Sequence, residues 1–446
     1  MSPALESLVR LRPTGELAWI GSLRERAIAS FLELGLPTRR LEAWKGTNFA
    51  PLAAMHFTRV GPGEDSPGDR SAGADADPPE LVFVDGRFDA KASCRSNLPD
   101  GIRALSLAEV LDEEPALLDG KLGQLPDLKR NSLVALQTAF LEDVAVIVLD
   151  AGVETSRPLR MRFISTAATE TTNSASAAFP RLLVIAGKGS AATLFQEHRT
   201  DGAAPGFTGF VAEYHLAEGA NIETVQIQAE GTERIHFTSA YARLERDARF
   251  DSHVFSLGNG LVRSELEVRL VEPGAQTKLC GLFIGRDRGH TDHYTTVDHD
   301  AERCTSDEEY RGVLGDHSEG VFRGRVIIRP GAQKSDVRQS SPNLLLSDHA
   351  KISTKPQLEI YADDIRASHG STIGQLDSDA IFFLRARGIS AANARLLLTS
   401  AFAQGIVDRI ADETLRKTVG SDVNEALRNL EHNLETVESS EQGMKR

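Results

Sequence analysis

Between residues 143 and 376 the chain is a succession of short apolar or alternating runs, each closed by Gly, Asp, Asn or Pro. "VAVIVL", "LRMRFIS", "RLLVIAG", "FVAEYHL", "IETVQIQ", "FDSHVFSL", "ELEVRLV" and "VFRGRVIIR" are typical. Their length and their period of two predict β-strands, and no segment of helical period separates them. Strands without crossover helices argue against a βαβ layout. A sandwich, a barrel and a β-solenoid remain. "LAEGANIETV", "VEPGAQTKLC" and "IRPGAQKSDV" echo one another, with Gly219, Gly274 and Gly331 spaced 55 and 57 residues apart. The echo favours a solenoid in which each glycine occupies a turn position of positive φ.

Both ends of the chain change period. Residues 1–36 read as helical, with Trp19, Ile20, Leu23, Ala27, Phe31 and Leu34 on one face and Pro37 as the stop. Residues 61–80, "GPGEDSPGDRSAGADADPPE", carry almost no large apolar side chain and read as a flexible linker. "SLAEVLDEEPALLDGKLGQ" and "NSLVALQTAFLED" read as helical. Near the C-terminus Ser390 is an expected N-cap, and Leu398, Phe402, Ile406 and Ile410 form a stripe. A further helix is expected after Gly420, taken as a C′ glycine, with Val423, Leu427, Leu430 and Leu434 on its face. The expected division is a mixed helical region over 1–140, a β region over 141–375 and a helical region over 376–446.

Composition narrows the function. Apolar residues are 41% of 446, enough for a real core, and the net charge of −14 argues against a general nucleic-acid binder. Cys94, Cys280 and Cys304 show neither CxxC nor zinc-finger spacing, so no disulfide framework or structural zinc is indicated. No secretory-type apolar segment opens the chain, and no run is long enough for a bilayer. A cytoplasmic setting, away from membranes, is the expectation. "IAGKGSAA" lacks the upstream glycine of a P-loop, and no G-x-S-x-G or H-E-x-x-H occurs.

Few residues offer chemistry. "GHTDHYTTVDHD" gathers His290, His293 and His299 with Asp292, Asp298 and Asp300, but on a strand His290 and His293 point to opposite faces. Cys280 and Cys304 read as small buried hydrophobes, with a ligand role as the alternative. Trp44 reads as an anchor beside a snorkelling Lys45. In "LEIYADDIRASHGSTIGQLD" one histidine, His369, stands among small residues that admit a close approach by another chain. Glu359, Asp363 and Asp364 could act as acid or base in a β-helix enzyme, or the aspartates could simply build a turn.

Here the residues go beyond pattern. "KPQLEIYADDIRASHGSTIGQLD", then "FFLRARGISAANARLLLTSAF", resembles the C-terminal signature of the SufB/SufD family of iron–sulfur cluster assembly scaffold subunits, on its SufD side. "GLPTRRLEAWKGTNFAPL" is similar to the family's N-terminal motif through Glu42, Trp44, Lys45 and Thr47, and "GVFRGRVIIRPGAQKSDVRQSSPNLLLSDHAKIS" matches as well. The resemblance implies a mainly β chain: a right-handed parallel β-helix flanked by N-terminal and C-terminal α-helical regions. It implies a SufB-like partner and a SufC-like ATPase docked on the C-terminal helices, for which Leu398, Phe402 and Ile406 are the candidate contacts. ATP hydrolysis would then lie in the partner and this chain would be a non-catalytic scaffold. His369 would sit at the subunit interface as a donor to a transient Fe–S cluster shared with the SufB-like partner, with no cofactor held tightly by this chain alone. Flavin on the complex, and a homodimer formed without partners, are left open. Ala367 stands where the family commonly has cysteine, and Gly46 where it often has an aromatic. No cysteine follows Cys304, which separates the chain from SufB itself. Two other readings are a purely structural ATPase-docking subunit and a secreted-type carbohydrate-active β-helix; 6% aromatics and no secretion signal speak against the latter.

Overall fold

The computed structural model describes residues 6, 8, 9, 11, 18–58, 79–166, 175–201 and 205–444. The strands in chain order are β1 (Phe57–Thr58), β2 (Glu80–Val84), β3 (Arg87–Phe88), β4 (Ile102–Leu105), β5 (Ala145–Leu149), β6 (Leu159–Thr166), β7 (Ala175–Ala178), β8 (Arg181–Ala186), β9 (Ala191–Asp201), β10 (Gly206–Leu216), β11 (Asn221–Ala229), β12 (Arg234–Leu244), β13 (Arg249–Ser256), β14 (Leu261–Leu270), β15 (Gln276–Gly285), β16 (His290–His299), β17 (Thr305–Leu314), β18 (Glu319–Ile328), β19 (Asp336–Leu345), β20 (Lys351–Ile360) and β21 (Arg366–Gly374). From β8 onward every strand pairs in parallel with the strand two ahead, so the even-numbered strands build one sheet and the odd-numbered ones a second. That pattern is a coil with two faces, and the fold is mainly β with a β-solenoid at its centre. Asn221 pairs with Arg249, Arg249 with Gln276 and Gln276 with Thr305, steps of 28, 27 and 29 residues per turn.

The glycine echo therefore skips every second turn. At the corner leading from the first sheet to the second, the residue two before each strand takes positive φ: Gly189, Gly219, Asp247, Gly274, Arg303 and Lys334. Glycine occupies this place in some turns, while Asp, Arg or Lys is forced into it in others. Gly331 is not among the positive-φ residues; Lys334 takes that role in its turn. The corner N–H groups bond the next turn, Gly219 N to Arg246 O, Asp247 N to Pro273 O and Gly274 N to Glu302 O, so the strained backbone is held by a ladder.

Alternation sorts side chains between the bore and the outside. Phe210, Tyr214, Ile222, Phe250, Leu279, Phe322 and Val337 fill the bore. The outer face of the second sheet carries Val225, Ile227, Phe255 and Leu282, packed against C-terminal helices.

Helix α1 (Ala18–Leu34) buries Ile20, Leu23, Ala27 and Phe31, while Trp19 and Leu34 at its ends stay exposed. It stops at Gly35, φ 66°, whose N–H bonds Phe31 O, rather than at Pro37. Helix α2 (Leu107–Glu113) starts with a Ser106/Glu109 capping box. Helix α3 (Ser132–Ala139), capped by the Asn131 side chain, is buried at every position between α1 and the first sheet. The proposed linker over 61–80 lies outside the described residues except for Pro79 and Glu80, and Glu80 opens the buried strand β2.

At the other end lie α4 (Ser378–Arg385), α5 (Ala391–Val407) and α6 (Glu413–Met444). Ser390 caps α5 by accepting from Asn393 N. Gly420 is not a terminator. It lies inside α6, where a Cβ would stand 3.7 Å from Val407, an ordinary contact between packed helices. No helix among the described residues is long and apolar enough to cross a membrane.

The N-terminal "EAWKGT" segment is riveted to the outer face of the first sheet. The Trp44 ring meets Phe49 edge to face with centroids 5.3 Å apart and lies tilted 5.8 Å from Phe237, and the Arg263 guanidinium lies 3.9 Å from the Trp44 ring centre. Arg263 also donates to Ala43 O, Glu265 and Asp292, and Thr47 donates to Asp292. Arg323 donates to Glu42 O, and Lys355 pairs with the Glu42 carboxylate.

Candidate functional site

The last turn of the solenoid is open. β20 pairs only with β18, and β21 only with β19, so each leaves one backbone edge without a ladder partner among the described residues. Such an edge is a template for another strand or chain. Apolar side chains crowd this end: Ile360 is 44% exposed, Tyr361 62% and Ile373 55%.

His369 lies in the middle of β21 and is exposed. It pairs in register with Gln339 of β19, and Gln339 with Glu308 of β17. Gln339 and Glu308 face the bore and are buried, so the pleat places His369 on the bore side of its strand, as the top of that column. Ala367, two residues earlier, packs on the bore core. Below it, Gln339 Nε2 donates to Glu308 Oε2 at 2.7 Å, and Thr295 Oγ1 donates to the same oxygen at 3.1 Å. Burial pushes the Glu308 carboxyl up to about 7, against the lowering effect of those two donors. His369 itself makes no hydrogen bond or ion pair with another described residue. It is a single borderline donor presented at an open end.

The neighbouring acids serve the corner. Asp364 N–H donates to Gln333 Oε1 at 2.9 Å, and the Asp364 carbonyl accepts from Lys334 N. Asp363 is exposed on the same corner, and Glu359 is tied to Arg325 at 2.7 Å.

The histidine-rich strand β16 does divide its side chains. His290 faces outward beside Thr47 Oγ1 (3.0 Å) and Glu319, while His293 faces the bore between Phe283 and Tyr310. His299 bonds Ser306 and Ser335 inside. Burial pushes His293 and His299 down to about 4, so both are neutral packing groups at pH 7. Among the described residues no group of three or more His, Cys, Asp or Glu is arranged to hold a metal ion.

Neither cysteine is presented as a ligand. Cys304 is buried in a corner with Sγ 3.4 Å from Glu272 O, and burial pushes its thiol up to about 11. Cys280 is buried on the outer face of the second sheet, in register with His253 and Glu309 and covered by Arg409, 3.8 Å from Sγ.

The candidate ATPase contacts divide as well. Ile406 is fully buried against the second sheet, which removes it from any partner surface. Phe402 and Leu398 are half-buried, and Phe402 carries the Arg311 guanidinium 5.1 Å from its ring centre. The apolar groups left facing out are Phe382 (73%), Phe383 (56%) and Leu397 (52%). Helix α4, which carries both phenylalanines, has no buried residue. The signal for it was the "FFLRAR" run, apolar residues on a short helix; the Arg387 guanidinium lies 3.3 Å from the Phe383 ring centre, and both rings stay more than half exposed.

Residues 13–161 match the SufBD protein N-terminal region, and residues 167–402 the SUF system FeS cluster assembly, SufBD core domain. The chain is 30% identical over 407 residues to the iron–sulfur cluster assembly protein SufD of Escherichia coli K12, which covers 90% of this chain and 92% of that protein. A SufBD family iron–sulfur cluster assembly protein of Synechocystis is 29% identical, covering 84% of each chain. The chloroplastic ABCI7 protein of Arabidopsis thaliana is 23% identical over 93% of this chain and 88% of its own length. With both of its halves matched, and with a relative alike over nearly its whole length, the chain belongs to the SufBD family of iron–sulfur cluster assembly proteins.

Proposed function

We propose that this SufD-type subunit acts as a non-catalytic scaffold: it pairs through its open solenoid end with a SufB-like subunit, docks a SufC-like ATPase on its C-terminal helices, and lends His369 to a cluster shared across the first interface. The observation that carries this reading is the exposed His369 on an unpaired edge strand, flanked by exposed Ile360, Tyr361 and Ile373. Neutral imidazole is an accepted ligand in iron–sulfur centres and leaves the cluster less negative than thiolate does. One imidazole cannot hold a cluster, so the remaining donors belong to the partner. Ala367 supplies no thiolate, and the imidazole alone carries this chain's share.

His369→Ala is expected to leave the co-purified complex assembled and to lower its iron and acid-labile sulfide several-fold. Unchanged iron and sulfide would support the second reading, a structural ATPase-docking subunit with no ligand role. That reading draws on α4, whose exposed phenylalanines need only a partner to cover them. Phe382→Asp is expected to reduce ATPase recovery in a pull-down by about tenfold, the effect of losing a buried aromatic anchor, with the melting temperature unchanged. Full ATPase recovery would remove α4 from the docking surface. Polysaccharide chemistry has no comparable support, because Asp364 is taken up by the corner and Glu359 by Arg325.

A further inference from the structure

The column under His369 is a built arrangement rather than a chance run of polar side chains. Glu308 and Gln339 are buried in the bore beside Thr295, where an unpaired polar group costs about 1–3 kcal/mol. Their hydrogen bonds are nevertheless incomplete. Glu308 Oε2 receives both Gln339 Nε2 and Thr295 Oγ1, while Glu308 Oε1 and Gln339 Oε1 have no partner among the described residues. The facing strand makes room for the pair. A Cβ at Gly324 would collide with Gln339 Nε2 and stand 3.0 Å from Glu308 Oε2. Glu308, itself held by Thr295, thus ties down the amide's NH₂ end and leaves its carbonyl oxygen as a buried acceptor that is still free. His369 occupies the next place in the column, in register with Gln339 and one strand spacing above it.

We propose that Gln339, held by Glu308 and Thr295, is a positioning residue for His369: its Oε1 accepts the bore-side imidazole N–H and leaves the lone pair of the other ring nitrogen facing the open end. A ligating histidine is commonly oriented through its second nitrogen in this way, which fixes both tautomer and ring plane. The inference rests on the ligand reading of His369 for its purpose, but the contact concerns two residues of this chain alone; it is not made in this structure, where His369 is exposed and Gln339 Oε1 is unbonded, and it requires the imidazole to turn toward Gln339.

Two measurements separate the inference from that reading. In the chain labelled with ¹⁵N-histidine, the His369 ring, assigned by His369→Gln, is expected to populate one tautomer predominantly. Gln339→Leu and Gln339→Met should shift it toward the mixture of free imidazole. In the co-purified complex, Gln339→Leu is expected to lower retained iron and sulfide about tenfold, the usual scale for losing a ligand's orienting partner. Glu308→Gln still accepts from Thr295 and Gln339, so it should behave as the parent, whereas Glu308→Leu should resemble Gln339→Leu. Melting curves identify any variant that fails to fold. An unchanged His369 tautomer in both folded Gln339 variants overturns the inference whatever the cluster content. If the tautomer shifts but His369→Ala keeps its iron and sulfide, the positioning contact stands and the ligand reading fails.

Discussion

Glu213→Ala is expected to lower the stability of the folded chain by about 3–5 kcal/mol, the cost of stranding a buried charge. Glu213 projects outward from β10 into the contact between the first sheet and the N-terminal region, where its side chain has no exposure. Its Oε1 receives Arg181 Nη2 at 2.6 Å and Gly123 N at 2.8 Å, and its Oε2 receives Gln124 N and Leu125 N. Arg181 is itself only 2% exposed and also reaches Thr138 of α3. Alanine would leave one guanidinium and three backbone N–H groups buried without their acceptor. Replacing both members, as Arg181→Met with Glu213→Leu, removes the charge along with its partner and should cost clearly less than the single change. Denaturant unfolding followed by circular dichroism measures both. A loss under about 1 kcal/mol for Glu213→Ala would mean that water enters the site, and that the N-terminal region is not locked to the solenoid by this pair.

The alternation of apolar and polar residues made the strands legible, because a two-faced coil buries one side of each strand in the bore. The length of the turn was harder to read. Gly219 and Gly274 mark alternate corners, while the corners between and after them use Asp247, Arg303 and Lys334 in the same left-handed conformation. A repeat search that follows glycine therefore finds twice the true spacing. The C-terminal stripe shows a related limit. Periodicity identifies Ile406 and Phe402 as one apolar face but does not say what covers it. The covering surface is the outer face of the second sheet, whose Phe255 and Leu282 come from more than a hundred residues earlier. Conversely, Phe382 and Phe383 sit on a two-turn helix that buries none of its residues, and both remain more than half exposed. His369 was visible through the motif around it. Gln339 and Glu308 were not, since only strand register brings residues 30 and 61 positions upstream beneath it.

Arg263→Ala should be comparably damaging, about 3–5 kcal/mol, and its effect should appear first in the "EAWKGT" segment. The Arg263 side chain is fully buried on β14 and ties together groups that no single element could hold. Its carboxylate partners are Glu265 on its own strand and Asp292, its register neighbour on β16. Its Nη2 reaches Ala43 O at 3.0 Å, and its plane covers Trp44 at 3.9 Å. A desolvated cation–π contact of this kind contributes about 2 kcal/mol by itself. After the substitution Asp292, 1% exposed at its side chain, would keep Thr47 as a donor but lose its countercharge. Arg263→Lys retains a charge but neither the planar stack nor the forked donors, so it should recover less than half of the loss. Trp44 provides a local reading. It is buried while the other tryptophan, Trp19, is 39% exposed, so release of the segment should shift the emission to longer wavelength below the main unfolding transition. A destabilised Arg263→Ala protein with unchanged emission would show that Arg263 acts within the sheet alone. A red shift at low denaturant would show that the motif's tryptophan is held in place from the solenoid, by a residue more than two hundred positions away in the chain.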